Sequence, residues 1–248
     1  MVRSVLVTRP SGQAEVLGQA LEAAGLTVSY APMLAIEPYA TLSADQEATL
    51  LSLDQAQHII FVSQNAIRCG MPWIQRAWTQ PPSQARWYAV GKASALALAR
   101  YGIDAEIPLN DMTSEGLLAL PALSQVADQR VVIIKGEGGR TRLRRTLQAR
   151  NARVDELETY RRRRPQYAPG ELSDLMQQHA VDCILISSGE GLDNMVLLLG
   201  VAGLKQAQAL TLVVPGERVA EAARLAGFSR IVVADNATDD AMLAALTR

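Results

Sequence analysis

The sequence predicts an α/β protein of two similar doubly wound parallel-sheet domains, one of them discontinuous, joined by a two-segment hinge. Three observations carry this expectation. Short runs that are apolar at every position recur along the chain, as in strands covered on both faces of a parallel sheet. Helical stretches with a single apolar stripe lie between them, and glycine or asparagine closes several of these helices just before the next strand. Finally, the two halves of the chain repeat one another in order and spacing.

The strands read in order as Val5-Leu6-Val7, Ile59-Ile60-Phe61-Val62, Tyr88-Ala89-Val90, Val131-Val132-Ile133-Ile134, Ile184-Leu185-Ile186 and Leu212-Val213-Val214. Each is followed at once by small, polar or glycine residues. Val16, Leu17, Ala20, Leu21 and Ala24 typify the helical stripe between strands. Gly25, Gly102 and Gly227 stand where a left-handed C-cap is wanted, and Asn151 is a fourth such residue. Strand, helix, cap, strand is a βαβ rhythm.

The segments FVSQNAI, AVGKASALALARYGI and TSEGLLAL match LISSGEGLDNM, VVPGERVAEAARLAGF and TDDAMLAAL in order. The remaining pair, VLVTRPSG to TVSYAP and VIIKGEGGRTR to VDELETY, also match, but one stands at the N-terminus and the other follows its partners. This permutation predicts one domain from residues 1–36 plus 167–248 and a continuous one from 39–163. The chain is expected to cross near Ile36–Pro38 and return near Arg161–Pro165, where prolines interrupt regular structure, leaving a cleft beside a hinge.

The 248 residues suffice for two buried cores, and a charged fraction of 20% is ordinary for a globular protein. No apolar stretch approaches a membrane span, and the opening MVRSVLVTRPSG lacks a signal peptide's apolar region. Cys69 and Cys183 are far apart, without the spacing of a disulfide framework or a zinc site, so a cytoplasmic protein is expected. Net charge is −1, yet basic residues crowd between Arg130 and Arg164, which suggests an acidic ligand or a solvated face. With aromatic residues at 4%, Arg161–Arg164 read as a solvated hinge flank and not as a nucleic-acid patch.

Familiar motifs are absent. Gly136-Glu137-Gly138-Gly139-Arg140 has Thr141 where a dinucleotide fingerprint needs glycine, so it reads as a tight turn whose N–H groups can accept an anion. His58 and His179 are distant and lack carboxylate neighbours, which argues against a metal site or a Ser-His-Asp triad. What remains is positional. Thr8, Arg9, Ser63, Asn65, Gly91, Ser94, Lys135, Gly136, Ser187, Ser188, Gly216 and Arg218 all follow strand ends, the edge where open α/β sheets bind ligands. Any one hydroxyl there is also a good helix N-cap. As a set they make a rim of N–H groups, hydroxyls and cations without a strong general base, suited to holding a multiply charged acidic ligand.

These residues together resemble the uroporphyrinogen-III synthase family. The matching features are Val7-Thr8-Arg9-Pro10, Phe61-Val62-Ser63-Gln64-Asn65-Ala66, Val90-Gly91-Lys92-Ala93-Ser94, Thr113-Ser114-Glu115-Gly116-Leu117, the Lys135–Arg140 turn, Leu157-Glu158-Thr159-Tyr160-Arg161, Ile186-Ser187-Ser188 and Pro215-Gly216-Glu217-Arg218-Val219-Ala220. Their order and spacing carry the resemblance, which runs the whole length. The chain departs from the pattern at Val62, where Thr is common, and at Gly216, where a hydroxyl residue is frequent.

The resemblance implies cyclisation of hydroxymethylbilane, with loss of water and inversion of ring D, to uroporphyrinogen III in tetrapyrrole (heme) synthesis. It implies a monomer that acts on a linear tetrapyrrole with no cofactor, metal, nucleic acid or membrane. Tyr160 matches the tyrosine proposed to assist departure of the substrate hydroxyl. On position alone it could equally be a core residue propping the hinge. Arg9 and Lys135 are expected to hold carboxylates, so that their loss raises KM more than it lowers kcat. Two other readings fit the same rim: a non-catalytic two-domain binding protein for an acidic metabolite, and a glycosyltransferase or sugar-phosphate isomerase with the glycine turn on a phosphate.

Overall fold

A computed structural model describes residues 2–139 and 141–247. The chain divides into two compact units, Met1–Ala35 with Arg163–Arg248, and Ile36–Arg162. The first unit opens with β1 (Ser4–Val7), α1 (Glu15–Ala23) and β2 (Thr27–Tyr30). The second comprises β3 (Ala35–Pro38), α2 (Ala44–Leu51), β4 (His58–Phe61), α3 (Gln64–Ala77), β5 (Arg86–Ala89), α4 (Lys92–Ala99), β6 (Ala105–Glu106), α5 (Ser114–Leu118), α6 (Pro121–Ser124), β7 (Arg130–Gly136), α7 (Arg142–Ala149) and β8 (Arg153–Arg163). The first unit then resumes with α8 (Glu171–Gln178), β9 (Cys183–Leu185), α9 (Gly189–Ala207), β10 (Thr211–Val214), α10 (Glu217–Leu225), β11 (Ile231–Val233) and α11 (Asp239–Thr247).

The first unit's sheet has the order β11-β10-β9-β1-β2, with its neighbouring strands parallel. Helices cover both faces, which is why its inner strands β9, β10 and β1 carry no polar alternation. Val5 and Val7 of β1 pack with Leu17, Leu21 and Met242, whereas Leu6 packs with Met195, Leu212 and Val219 on the other face. Each fully buried aliphatic side chain of this kind stabilises the fold by about 1.5–3 kcal/mol.

The second unit's sheet has the order β3-β8-β7-β4-β5-β6 and is parallel from β8 to β6. Ile59 and Phe61 of β4 face the cluster containing Ile67 and Ile74, and Ile60 faces the one containing Leu143 and Leu147. Where the sequence suggests proline-broken crossings, the backbone is extended. Tyr39 N–H donates to the Thr159 carbonyl at 3.0 Å and Arg161 pairs with Glu37 at 2.8 Å, so β3 runs against β8 at the sheet edge. Pro38 is tolerated there because an edge strand has a side that needs no donor. β8 runs on to Arg163 and stops before Pro165.

The helix ends follow the sequence reading. Gly25, Gly102, Gly227 and Asn151 all have positive φ, and the residue after each donates back across the last turn, as Ile103 N–H does to Leu98 O. Trp78 and Trp87 use their indole N–H groups on the Leu50 and Pro82 carbonyls, which makes them packing residues.

His58 begins β4 at the edge opposite the glycine turn and is buried. Its Nε2 donates to Gln129 Oε1 at 2.5 Å, leaving Nδ1 to accept from the Tyr88 hydroxyl at 3.0 Å, an arrangement that fits the neutral ring. Burial holds the imidazole below its usual range. The unfolded chain therefore binds this proton first. The stability contributed by the neutral ring is intact above about pH 6.5 and is lost as pH falls through and below that value. Urea midpoints should drop between about pH 7 and pH 5, and His58→Gln should flatten that slope. An unchanged slope would show that His58 does not drive it.

Candidate functional site

The glycine turn after β7 and the end of β8 build the site in the second unit. β7 and β8 pair in register until Lys135 meets Glu158, and then Gly136 meets Tyr160, so Thr159 is an inserted residue. Bulges in parallel pairs are rare and redirect side chains. Strict alternation would put Tyr160 on the face of Glu156. Instead its ring joins the cluster of Leu157, Ile134 and Phe61 and is only 6% exposed. The Glu137 N–H donates to the Tyr160 carbonyl at 2.7 Å, which fixes the shifted backbone.

Gly136 makes room for that ring. A Cβ at this position would lie 2.5 Å from two Tyr160 ring carbons. The Tyr160 hydroxyl lies 3.2 Å from Ser63 Oγ, and Ser63 caps α3 by accepting the Ala66 N–H at 3.1 Å. One serine thus starts a helix and orients the phenol. Lys135, almost buried, places its Nζ 3.0 Å from Glu156 Oε1, and the other Glu156 oxygen is 3.5 Å from Arg144. Ser63, Lys135, Gly136 and Tyr160, with Glu156 and Arg144, line a pocket of about 260 Å³ at the carboxyl edge of this sheet.

The turn itself is held internally. Gly138 N–H donates to Glu158 Oε1 at 3.1 Å, and the Tyr39 hydroxyl donates to Glu137 Oε2 at 3.0 Å. Burial, and then this bond to Glu137, push the Tyr39 phenol up to about 12. Two N–H groups expected to await an anion, those of Glu137 and Gly138, therefore already have partners. Arg140 lies outside the described residues.

The other rim residues of this unit do not line the pocket. Asn65 lies half-buried in the first turn of α3, Gly91 caps α4, and Ser94 is buried on α4.

In the first unit, Thr8 is buried and its hydroxyl donates to the Leu185 carbonyl at 2.6 Å. Ser188 caps α9 by accepting Gly191 N–H, Gly216 precedes α10, and Arg218 is exposed on its first turn. Arg9 donates to Ser187 Oγ at 3.1 Å and to the Ala237 carbonyl at 2.6 Å, and it pairs with Asp239. Its guanidinium is thus engaged on three sides, joining the ends of β1 and β9 to the start of α11. Arg9→Met should cost about 1–3 kcal/mol of stability. A raised KM at unaltered stability would return Arg9 to the carboxylate-holding role expected from sequence.

The family model described as uroporphyrinogen-III synthase HemD matches residues 15–244. The chain is 36% identical to the uroporphyrinogen-III synthase of Salmonella typhimurium strain LT2 and 34% identical to that of Escherichia coli K12. Both alignments cover 98% of this chain and 99% of the relative. This chain belongs to the uroporphyrinogen-III synthase family. It is an enzyme of porphyrin and heme biosynthesis, and neither the binding-protein nor the glycosyltransferase reading is favoured.

Solved uroporphyrinogen-III synthases share the fold. A Helicobacter pylori 26695 structure superposes with a TM-score of 0.62 at 10% identity, covering 99% of this chain and 98% of that one. A mutant from Thermus thermophilus gives 0.61 at 18% identity, with the same coverage. At such identities the likeness is one of fold. Within this uroporphyrinogen-III synthase chain, sequence reasoning missed Glu156 and Arg144 as pocket residues. For Glu156 the available signal was alternation with Leu157 along β8, which turns it to the opposite face of the sheet, whereas Arg144, on the first turn of α7, carried no comparable signal.

Proposed function

We propose that this chain closes hydroxymethylbilane to uroporphyrinogen III, inverting ring D, with Tyr160 as the group that assists departure of the hydroxyl. The observation that carries the assignment is the Tyr160 hydroxyl, 3.2 Å from Ser63 Oγ in a pocket shared with Lys135. The phenol donates its proton as the C–O bond breaks, so that oxygen leaves as water and the substrate becomes an azafulvene cation. The carbon proton released at ring closure restores the phenol. Pyrrole nitrogen stabilises the cation, which leaves the protein mainly the tasks of positioning and shielding.

The remaining assignments belong to the same reading. Lys135 offers its ammonium to a substrate carboxylate. Ser63, Asn65, Gly91, Ser94 and Gly136 in the second unit, and Thr8, Arg9, Ser187, Ser188, Gly216 and Arg218 in the first, form the rims, Arg9 through the backbone it braces. We assign the domains as 1–36 plus 167–248 and 39–163, and the protein as a cofactor-independent cytoplasmic monomer. Among the described residues no helix is long and apolar enough to cross a membrane. The test is to incubate chelator-treated protein with hydroxymethylbilane and separate isomers I and III. Isomer III in excess over the uncatalysed isomer I supports the reading, and binding without closure contradicts it.

A further inference from the structure

Lys135 presents an imbalance. Its side chain is 9% exposed and lines the pocket, yet the one hydrogen-bond partner of its ammonium among the described residues is Glu156 Oε1, at 3.0 Å. An ammonium has three donors, so it retains capacity for a second acceptor. Glu156 in turn lies between two cations, with Arg144 at 3.5 Å from its other oxygen. The trio therefore carries two positive charges and one negative at the wall of a single pocket.

We propose that Glu156 is a specificity-determining residue, an internal counter-ion that keeps small free anions off Lys135 while a tethered substrate carboxylate can take its place there. A free anion entering the pocket meets a carboxylate beside the ammonium it seeks, and like charges at such distances repel strongly where water is scarce. A carboxylate arm on a larger ligand is held at high effective concentration by the ligand's other contacts, so it competes where a free anion does not. The pocket thereby prefers polycarboxylate substrates to the phosphate and chloride around it. This inference rests on reading the pocket as part of the substrate site.

The test uses the full-length chain with inorganic phosphate as the probe. Phosphate should inhibit hydroxymethylbilane turnover by Glu156→Gln at roughly tenfold lower concentration than it inhibits wild type, because one negative charge has left the trio. Without substrate, phosphate should raise the thermal midpoint of Glu156→Gln more than that of wild type, and Lys135→Met in the Glu156→Gln background should abolish the difference. A purely structural ion pair would lower the thermal midpoint and leave phosphate sensitivity equal, which overturns the proposal. Arg144→Gln, at a half-exposed position, supplies a variant suited to fold. It leaves Glu156 to Lys135 alone, so KM should rise severalfold with kcat held, and an unchanged KM counts against the proposal. If wild type makes no uroporphyrinogen III, the function reading fails. The phosphate dependence of the thermal midpoint still decides the role of Glu156.

Discussion

Tyr160→Phe is expected to lower kcat by roughly ten- to a hundredfold, with little change in thermal stability. The ring stays packed against Leu157 and Ile134, so the core loses no volume. What disappears is the hydroxyl and its contact with Ser63 at 3.2 Å. The loss should stay below the upper range for general acid catalysis, because a pyrrole-stabilised carbon releases hydroxide readily. KM should move little, since the phenol is asked to act at the breaking bond and not to hold the substrate. Full activity in the Phe variant would remove Tyr160 from the mechanism. Loss of folding would make it a prop of the sheet edge.

Gly136→Ala should have the larger effect on the protein as a whole. An added Cβ would sit 2.5 Å from the Tyr160 ring, well inside van der Waals contact. That ring is confined by the core, so either it or the turn must move. Overpacking of this sort costs about 1–3 kcal/mol, and a thermal melt should register it. The displaced phenol should also lower kcat at least as far as Tyr160→Phe does. Because both changes act through one hydroxyl, the double variant should be no slower than Gly136→Ala alone. Multiplying losses in kcat would mean that Gly136 acts by another route.

The regular elements were legible because their signals are local. Val131–Ile134 announces a doubly covered strand, and Gly102 and Asn151 announce left-handed caps, within a few residues of sequence. The permuted repeat was legible because whole segments match. The site was legible only in part. That Ser63 and Lys135 end up near each other follows from the adjacency of β4 and β7, which the apolar runs make plausible but do not specify. Thr159 as an inserted residue was invisible, since nothing in LETYR distinguishes a bulge from continued alternation. Arg9 illustrates the same limit at long range. Its partner Asp239 lies 230 positions away, so a strand-end arginine reads as a ligand-binding cation when its donors are engaged inside the unit.

The central claim is that the Tyr160 phenol delivers a proton to the departing hydroxyl, and the solvent deuterium isotope effect on single-turnover ring closure tests it most directly. Wild type should close hydroxymethylbilane more slowly in deuterium oxide than in water, because that proton is in flight as the C–O bond breaks. Tyr160→Phe should be slower in both solvents and should lose most of the difference between them. An isotope effect of the same size in both proteins would contradict the account and assign the proton to another donor.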